Sequence, residues 1–338
     1  MASLVLPSFF LPLSFLAFAY AANNNSSTIP NTSPYEFIFH VGDSLADTGN
    51  LVRLPNANTT YRADHYPYGR NYFGEPTGRF SDGRLTIDYI AKALNLRLLK
   101  PYLQKEAKFS HGVNFAVGGS TVLRSPYYET RNISMPTYNR SLKVQHGWLT
   151  TYLKATCYTL QNCSKVLGKS LFMFGEIGGN VYYQAFSQGK SIEEVKTYVP
   201  YIAKAIVKDY DEFGCLKSCN EFAMYHSDYL ERALSILKLE YPDVAIHYGD
   251  HYGSFKSILE CPGHFGFHKK SILKACCGIG GPYSYNEDRV CGTYEVPSRS
   301  DSAKYLHWDG IHLTEEAYYY VAENLIRVIL AKEFQCLQ

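Results

Sequence analysis

The chain has no excess of either charge: 33 Lys and Arg against 31 Asp and Glu leave a formal net charge of +2 over 338 residues. No basic block stands out, so composition points neither to nucleic acid nor to an anionic membrane surface as a partner. After the N-terminal segment, no apolar run is long enough to span a bilayer. The N-terminal run also falls short, because prolines interrupt it and its apolar core, Leu11 to Phe18, is shorter than a bilayer span. That core is followed by Ala19-Tyr20-Ala21, a small-x-small cleavage site. Met1–Ala21 therefore reads as a signal peptide, although no Lys or Arg precedes its core. Metal-ligand spacing is scarce: Cys215-x-x-x-Cys219 would suit zinc, but no matched second pair with histidine follows it, so no metal is expected.

The features present fit export. Asn-x-Ser/Thr sequons stand at Asn24, Asn25, Asn31, Asn58, Asn132, Asn139 and Asn162, as expected of a glycoprotein of the secretory pathway. The destination implied is extracellular or apoplastic, with the vacuole as the other possibility. Cys157 and Cys163 bracket a short loop, and Cys276 and Cys277 precede Cys291 across a loop rich in Gly, Pro and Tyr. Both arrangements read as local disulfide staples, with connectivity open and one of the nine cysteines left over. Residues 22–34 read as a flexible, glycosylated lead-in. Residues 35–338 read as one domain, in which strands alternate with helices as in an α/β sandwich with a mainly parallel sheet.

The chemistry starts at Tyr35-Glu36-Phe37-Ile38-Phe39, a short aromatic and β-branched strand that runs into His40-Val41-Gly42-Asp43-Ser44 and a turn. A serine at such a junction stands on the rim of a sheet, where backbone N–H groups can face a developing oxyanion. Gly112 to Thr121 is a second short strand ending in a glycine turn, and Ser170 to Gly175 is an apolar, buried strand followed by Glu176-Ile177-Gly178-Gly179-Asn180. Helices are expected over Leu85–Leu94, Leu142–Thr156, Ser191–Val207, Glu221–Glu240 and Thr314–Lys332, and a further strand over Val244–Asp250. Near the C-terminus, Asp309-Gly310-Ile311-His312 places a carboxylate where it can meet Nδ1 of the imidazole, leaving Nε2 to take a proton from a serine. A bare Asp-x-x-His also serves as a helix cap, and His247 and His251 read as structural or surface residues.

Taken together, Gly42 to Asn50, Gly112 to Thr121, Gly178-Gly179-Asn180 and Asp309 to His312 resemble the sequence blocks of the plant GDSL esterase/lipase family, within the SGNH-hydrolase superfamily. The Ser44 turn is not the Gly-x-Ser-x-Gly elbow of α/β-hydrolases. The resemblance implies a three-layer α/β/α sandwich and a secreted enzyme that hydrolyses small-molecule carboxylic esters. It implies Ser44 as nucleophile, His312 as base and Asp309 as its orienter. The oxyanion would be held by the Ser44 and Gly119 N–H groups and the Asn180 side chain, with no cofactor, no metal and no stable membrane insertion. An acyltransferase using the same acyl-enzyme is the first alternative.

Two departures from the family support a second alternative, a non-catalytic or poorly folding isoform. Val181 stands where the family usually has Asp. Between Val207 and Cys215 there is no apolar run for a strand the family usually carries, so one strand of the sheet is expected to be missing.

Overall fold

The computed structural model describes residues 15–21, 33, 35–55, 62–134, 140–156, 159–191, 194–195 and 217–331. In chain order the strands are β1 (Phe15–Ala21), β2 (Phe37–Val41), β3 (Gly112–Asn114), β4 (Ser170–Ile177) and β5 (Val244–Gly249). The helices are α1 (Thr86–Ala93), α2 (Ser125–Glu129), α3 (Leu142–Thr156), α4 (Leu160–Leu167), α5 (Gly179–Ser187), α6 (Lys217–Glu240), α7 (His251–Glu260) and α8 (Glu315–Ala331). The strands form one sheet in the order β3-β2-β4-β1-β5. β2 is parallel to β3 and β4, whereas β1 is antiparallel to both β4 and β5. Four strands therefore share one direction and β1 alone opposes them, which makes this the mainly parallel sheet that the sequence implies.

Alternation along the strands sorts side chains onto two faces. Ile38, Leu171 and Met173 enter one core with Ile87 and Ile90 of α1, Phe255 and Ile258 of α7, and Tyr318 and Val321 of α8. Phe39 and Phe172 point the other way and meet Leu149 and Tyr152 of α3, with the Phe39 ring 5.2 Å from Phe172 and 5.8 Å from Tyr152. Helices thus cover both faces, as in an α/β/α sandwich.

Helix starts are set by aspartate side chains. Asp88 Oδ2 accepts the Leu85 N–H at 2.9 Å and opens α1, while the same carboxylate takes both ends of the buried Arg79 guanidinium at 2.8 Å each. Asp250 accepts the Gly253 N–H at 2.8 Å and caps α7. Asp82 accepts the Glu315 N–H at 2.7 Å and starts α8.

Two element bounds differ from expectation. α6 begins earlier, at Lys217, and β4 runs on through Glu176 and Ile177. The end of the segment that reads as a signal peptide, Phe15–Ala21, forms β1. Seven apolar and aromatic residues suit a leader core and a strand equally, and periodicity does not separate the two. Of the local staples, Cys277 bonds to Cys291, and Cys163 is also disulfide-bonded. Among the described residues Cys276 is a buried thiol and Cys261 an exposed one. Residues 1–14, nearly all of the 22–34 lead-in, Cys157, Cys215, most of the Ser191–Val207 helix and the Val207–Cys215 interval lie outside the described residues.

Burial pushes the imidazoles of His40 and His307 down to about 4, so both are neutral in the folded chain at neutral pH. An unfolded chain, whose histidines titrate near about 6.5, takes up protons first as pH falls. Stability is therefore lost between about pH 6.5 and pH 4, by up to about 3 kcal/mol for each residue. His307→Gln should flatten the slope of unfolding free energy against pH across that window in urea titrations; an unchanged slope would contradict the assignment.

Candidate active site

The turn after β2 is fixed from three sides. Gly42 exchanges two hydrogen bonds with the side-chain amide of Gln145 on α3, its N–H donating at 2.9 Å and its carbonyl accepting at 2.8 Å. The Gln145 amide also donates to Ser120 Oγ at 2.9 Å. The Asp43 N–H donates to the Glu176 carbonyl at 2.8 Å. Asp47 collects the N–H groups of Gly49, Asn50, Leu51 and Gly118 at 2.6 to 3.0 Å, so one carboxylate ties the Ser44 turn to the second glycine turn. Asn50 and Asn114 cross-brace the same two turns: Asn50 donates to the carbonyls of Asn114 and Ala116 at 2.9 Å, and Asn114 donates to the carbonyl of Ala46 at 2.7 Å. Ser44 is left half-buried at the rim.

The loop before α8 meets it there. His312 Nε2 lies 2.9 Å from Ser44 Oγ, and His312 Nδ1 lies 2.7 Å from Asp309 Oδ2. Asp309 Oδ1 accepts the N–H groups of Ile311 at 3.0 Å and His312 at 2.8 Å, which closes the loop into a tight turn. The Tyr68 hydroxyl donates to Asp309 Oδ2 at 2.8 Å. Burial alone would raise the Asp309 carboxyl. The His312 charge and the hydrogen bonds from His312 and Tyr68 outweigh it and hold the group below the usual carboxylate range. Burial, and then the Asp309 charge, push the Tyr68 hydroxyl far above its ordinary range, so it stays protonated and donates. The Phe80 ring lies 4.5 Å from the imidazole and limits its rotation. Tyr68→Phe should lower kcat about tenfold with KM unchanged, the cost of one hydrogen bond to a buried charge. Steady-state kinetics test this, and an unaltered kcat would remove Tyr68 from the positioning chain.

The remaining candidates flank the serine. Gly119 has φ +72, and a Cβ there would lie 3.0 Å from Arg140 Nη1, so glycine is required on two counts. Arg140 in turn donates to the Gly118 carbonyl at 2.6 Å and holds the turn. Asn180 sits in the first turn of α5, where its amide donates to the Ser120 carbonyl at 3.1 Å and to Asp43 Oδ2 at 3.3 Å. The structure therefore brings Ser44, Asp309 and His312 into one hydrogen-bonded line and sets Asn180 between the Ser44 and Gly119 turns. Val181 is buried with Tyr182 and Ala185, so packing anchors α5 where the family has a carboxylate.

Beneath these turns, Glu176 Oε1 lies 2.6 Å from His251 Nδ1, with both side chains inaccessible to solvent. Burial, then the charges of Glu176 and Asp47, raise the Asp43 carboxyl well above its usual range. Sequence reasoning missed Gln145, Tyr68 as an Asp309 partner, and the Glu176–His251 pair. Gln145 had left a signal, a polar residue on the face of α3 that carries Leu142 and Leu149. Among the described residues no group of His, Cys, Asp and Glu is arranged to hold a metal, and no helix is long and apolar enough to cross a membrane.

Comparison with known proteins gives a consistent result. The family model described as GDSL-like lipase/acylhydrolase matches residues 38–325. Acetylajmalan esterase of Rauvolfia serpentina is 39% identical, over 90% of this chain and 87% of its own length. Two GDSL esterase/lipases of Arabidopsis thaliana are 37% and 38% identical, covering 95% and 92% of this chain and 91% and 89% of their own lengths.

Proposed function

This chain belongs to the GDSL-like lipase/acylhydrolase family, and from that premise we propose that it is a serine carboxylic-ester hydrolase working through an acyl-Ser44 intermediate. The observation that carries the reading is the line Ser44 Oγ–His312 Nε2 and His312 Nδ1–Asp309 Oδ2, at 2.9 and 2.7 Å. Substrate binds with its carbonyl over Ser44. His312 takes the hydroxyl proton as Oγ attacks, and Asp309 stabilises the resulting imidazolium. Negative charge on the carbonyl oxygen is met by the Ser44 and Gly119 N–H groups and by the Asn180 amide, whose longer contact, to Asp43, is the one given up. His312 then returns the proton to the leaving alkoxide. Water, activated by the same imidazole, releases the acid and restores Ser44. Every proton and electron pair is accounted for by these side chains and water.

One oxyanion donor is worth about 3 kcal/mol. Asn180→Ala should therefore lower kcat about a hundredfold while leaving KM within about twofold; a KM effect alone would assign Asn180 to substrate binding instead.

Relatives named acetylajmalan esterase point to a small acetyl ester as substrate. The sequons support passage through the secretory pathway, and Asn132 is exposed in a loop at φ +52. The test is burst kinetics on an aryl acetate in the presence of an added alcohol. A burst of phenol stoichiometric with enzyme, followed by steady release of acetate, is expected. No burst and no turnover would overturn the reading, and acetyl transfer to the alcohol in preference to water would make the enzyme a transferase.

A further inference from the structure

The two backbone donors assigned to the oxyanion belong to different turns. The Ser44 N–H follows β2 and the Gly119 N–H follows β3, and neither donates to another group among the described residues. Their separation depends on what joins the turns. Backbone bonds between the two segments run past the strand ends as far as Val117, whose N–H donates to the Gly42 carbonyl at 3.2 Å. They stop two residues short of each donor, and side chains close the rest of the gap. Asp47 Oδ2 takes the Gly118 N–H at 2.9 Å. Gln145, wholly buried on α3, reaches both turns with one amide. Its Oε1 accepts the Gly42 N–H at 2.9 Å, and its Nε2 donates to the Gly42 carbonyl at 2.8 Å and to Ser120 Oγ at 2.9 Å. A flipped amide would set donor against donor and oxygen against oxygen at Gly42, so one orientation is admitted. Ser120 Oγ passes the constraint on by donating to the Arg140 carbonyl at 2.5 Å, and Arg140 Nη1 donates to the Gly118 carbonyl at 2.6 Å. Both neighbours of Gly119 are thereby held. The Asn180 amide leans on the same place through the Ser120 carbonyl, at 3.1 Å.

We propose that Gln145 is the positioning residue of the oxyanion hole, its amide setting the separation of the Ser44 and Gly119 N–H groups. The proposal rests on the esterase reading above. The hydrogen bonds of Gln145 go to Gly42 and Ser120, two residues before one donor and one residue after the other, so it acts on the reaction through the backbone. Donors that already converge when substrate arrives stabilise developing charge without reorganising. A misplacement of about 1 Å costs about a hundredfold in rate. The ground-state carbonyl carries little charge, so a displaced donor weakens the transition state more than it weakens substrate binding. α3 is a firm mount for this amide. Leu149, four residues on from Gln145, is buried in the core with Phe39, Val113 and Phe115, and the Leu142 N–H donates to the Thr121 carbonyl at 2.9 Å.

Two variants test this. Gln145→Met keeps the length of the side chain and removes its bonds to both turns. Ser120→Ala removes the link to the second turn and leaves the exchange with Gly42 in place. Two quantities are read: kcat and KM on an aryl acetate, with kcat taken per serine that a fluorophosphonate labels, and affinity for an aryl boronic acid. Ser44 Oγ adds to the boron as its proton passes to His312, and the tetrahedral adduct places an oxygen where the oxyanion forms. In Gln145→Met, kcat per labelled serine should fall about a hundredfold with KM within about twofold, and boronic acid affinity should fall by a similar factor. In Ser120→Ala both should fall about fivefold, the equivalent of one hydrogen bond. A residue that only supports the fold would lower the number of labelled serines and leave kcat per serine and boronic acid affinity unchanged. That result in either variant overturns the proposal, and if Gln145→Met does not fold, Ser120→Ala decides by the same readings. Folded wild-type protein with neither label nor turnover would overturn the esterase reading and this proposal with it, whereas an active wild type with unaltered variants overturns this proposal alone.

Discussion

Ser44→Ala lowers kcat about a millionfold and leaves the folded chain intact. The magnitude follows from the way a nucleophile and its base act as one unit: without Oγ, neither His312 nor Asp309 has a proton to move, and what survives is the contribution of binding and the oxyanion donors. The fold is spared because Ser44 is half-buried at the rim and its hydroxyl contact is to the imidazole, whereas the turn is held by Gly42, Asp43 and Asp47. Asp309→Asn should cost about ten-thousandfold, since the amide no longer fixes the imidazole tautomer. Adding His312→Ala to Ser44→Ala should cost almost nothing more. Turnover of an aryl acetate and thermal melts of the purified variants measure all three; a Ser44→Ala enzyme with more than about a hundredth of wild-type kcat would contradict the assignment.

His251→Ala destabilises the protein by about 1–3 kcal/mol, because it leaves the buried Glu176 side chain without the imidazole beside it. The pair is 2.6 Å apart with 0% and 3% side-chain exposure. The damage reaches the site through the backbone: the Glu176 carbonyl accepts the N–H of Asp43, next to Ser44, and Gly178 to Asn180 follow directly along the chain. Denaturant unfolding should show the loss. His251→Leu combined with Glu176→Leu should recover most of it, since replacing both buried polar partners by packed apolar groups is close to neutral. A loss below about 1 kcal/mol in His251→Ala would mean that the pair carries little of the fold.

What the sequence disclosed and what it concealed divide along contact range. The Ser44 turn, the Asp309–His312 turn and the helix α3 are local patterns, written in neighbouring residues, and their bounds are visible in the chain. Gln145 and Tyr68 are not, because each acts on a partner 103 or 241 positions away, and nothing beside them in sequence announces the bond. Cys276 and Cys277 are adjacent, so only the three-dimensional path shows that Cys277 takes Cys291. Val181 was legible as a lost carboxylate but not as a core residue, since its burial depends on Tyr182 and Ala185 packing with it in the second core. The seven residues of β1 have the composition of a leader and of a strand at once, and periodicity does not separate the two.

The most direct measurement is reaction of the purified, folded protein with a fluorophosphonate, followed by mapping of the modified peptide by mass spectrometry. An activated serine attacks such a reagent and an ordinary one does not. One label per chain on the peptide carrying Ser44, lost in His312→Ala, is the predicted result. A folded protein that takes up no label, or takes it up at another serine, would contradict the account.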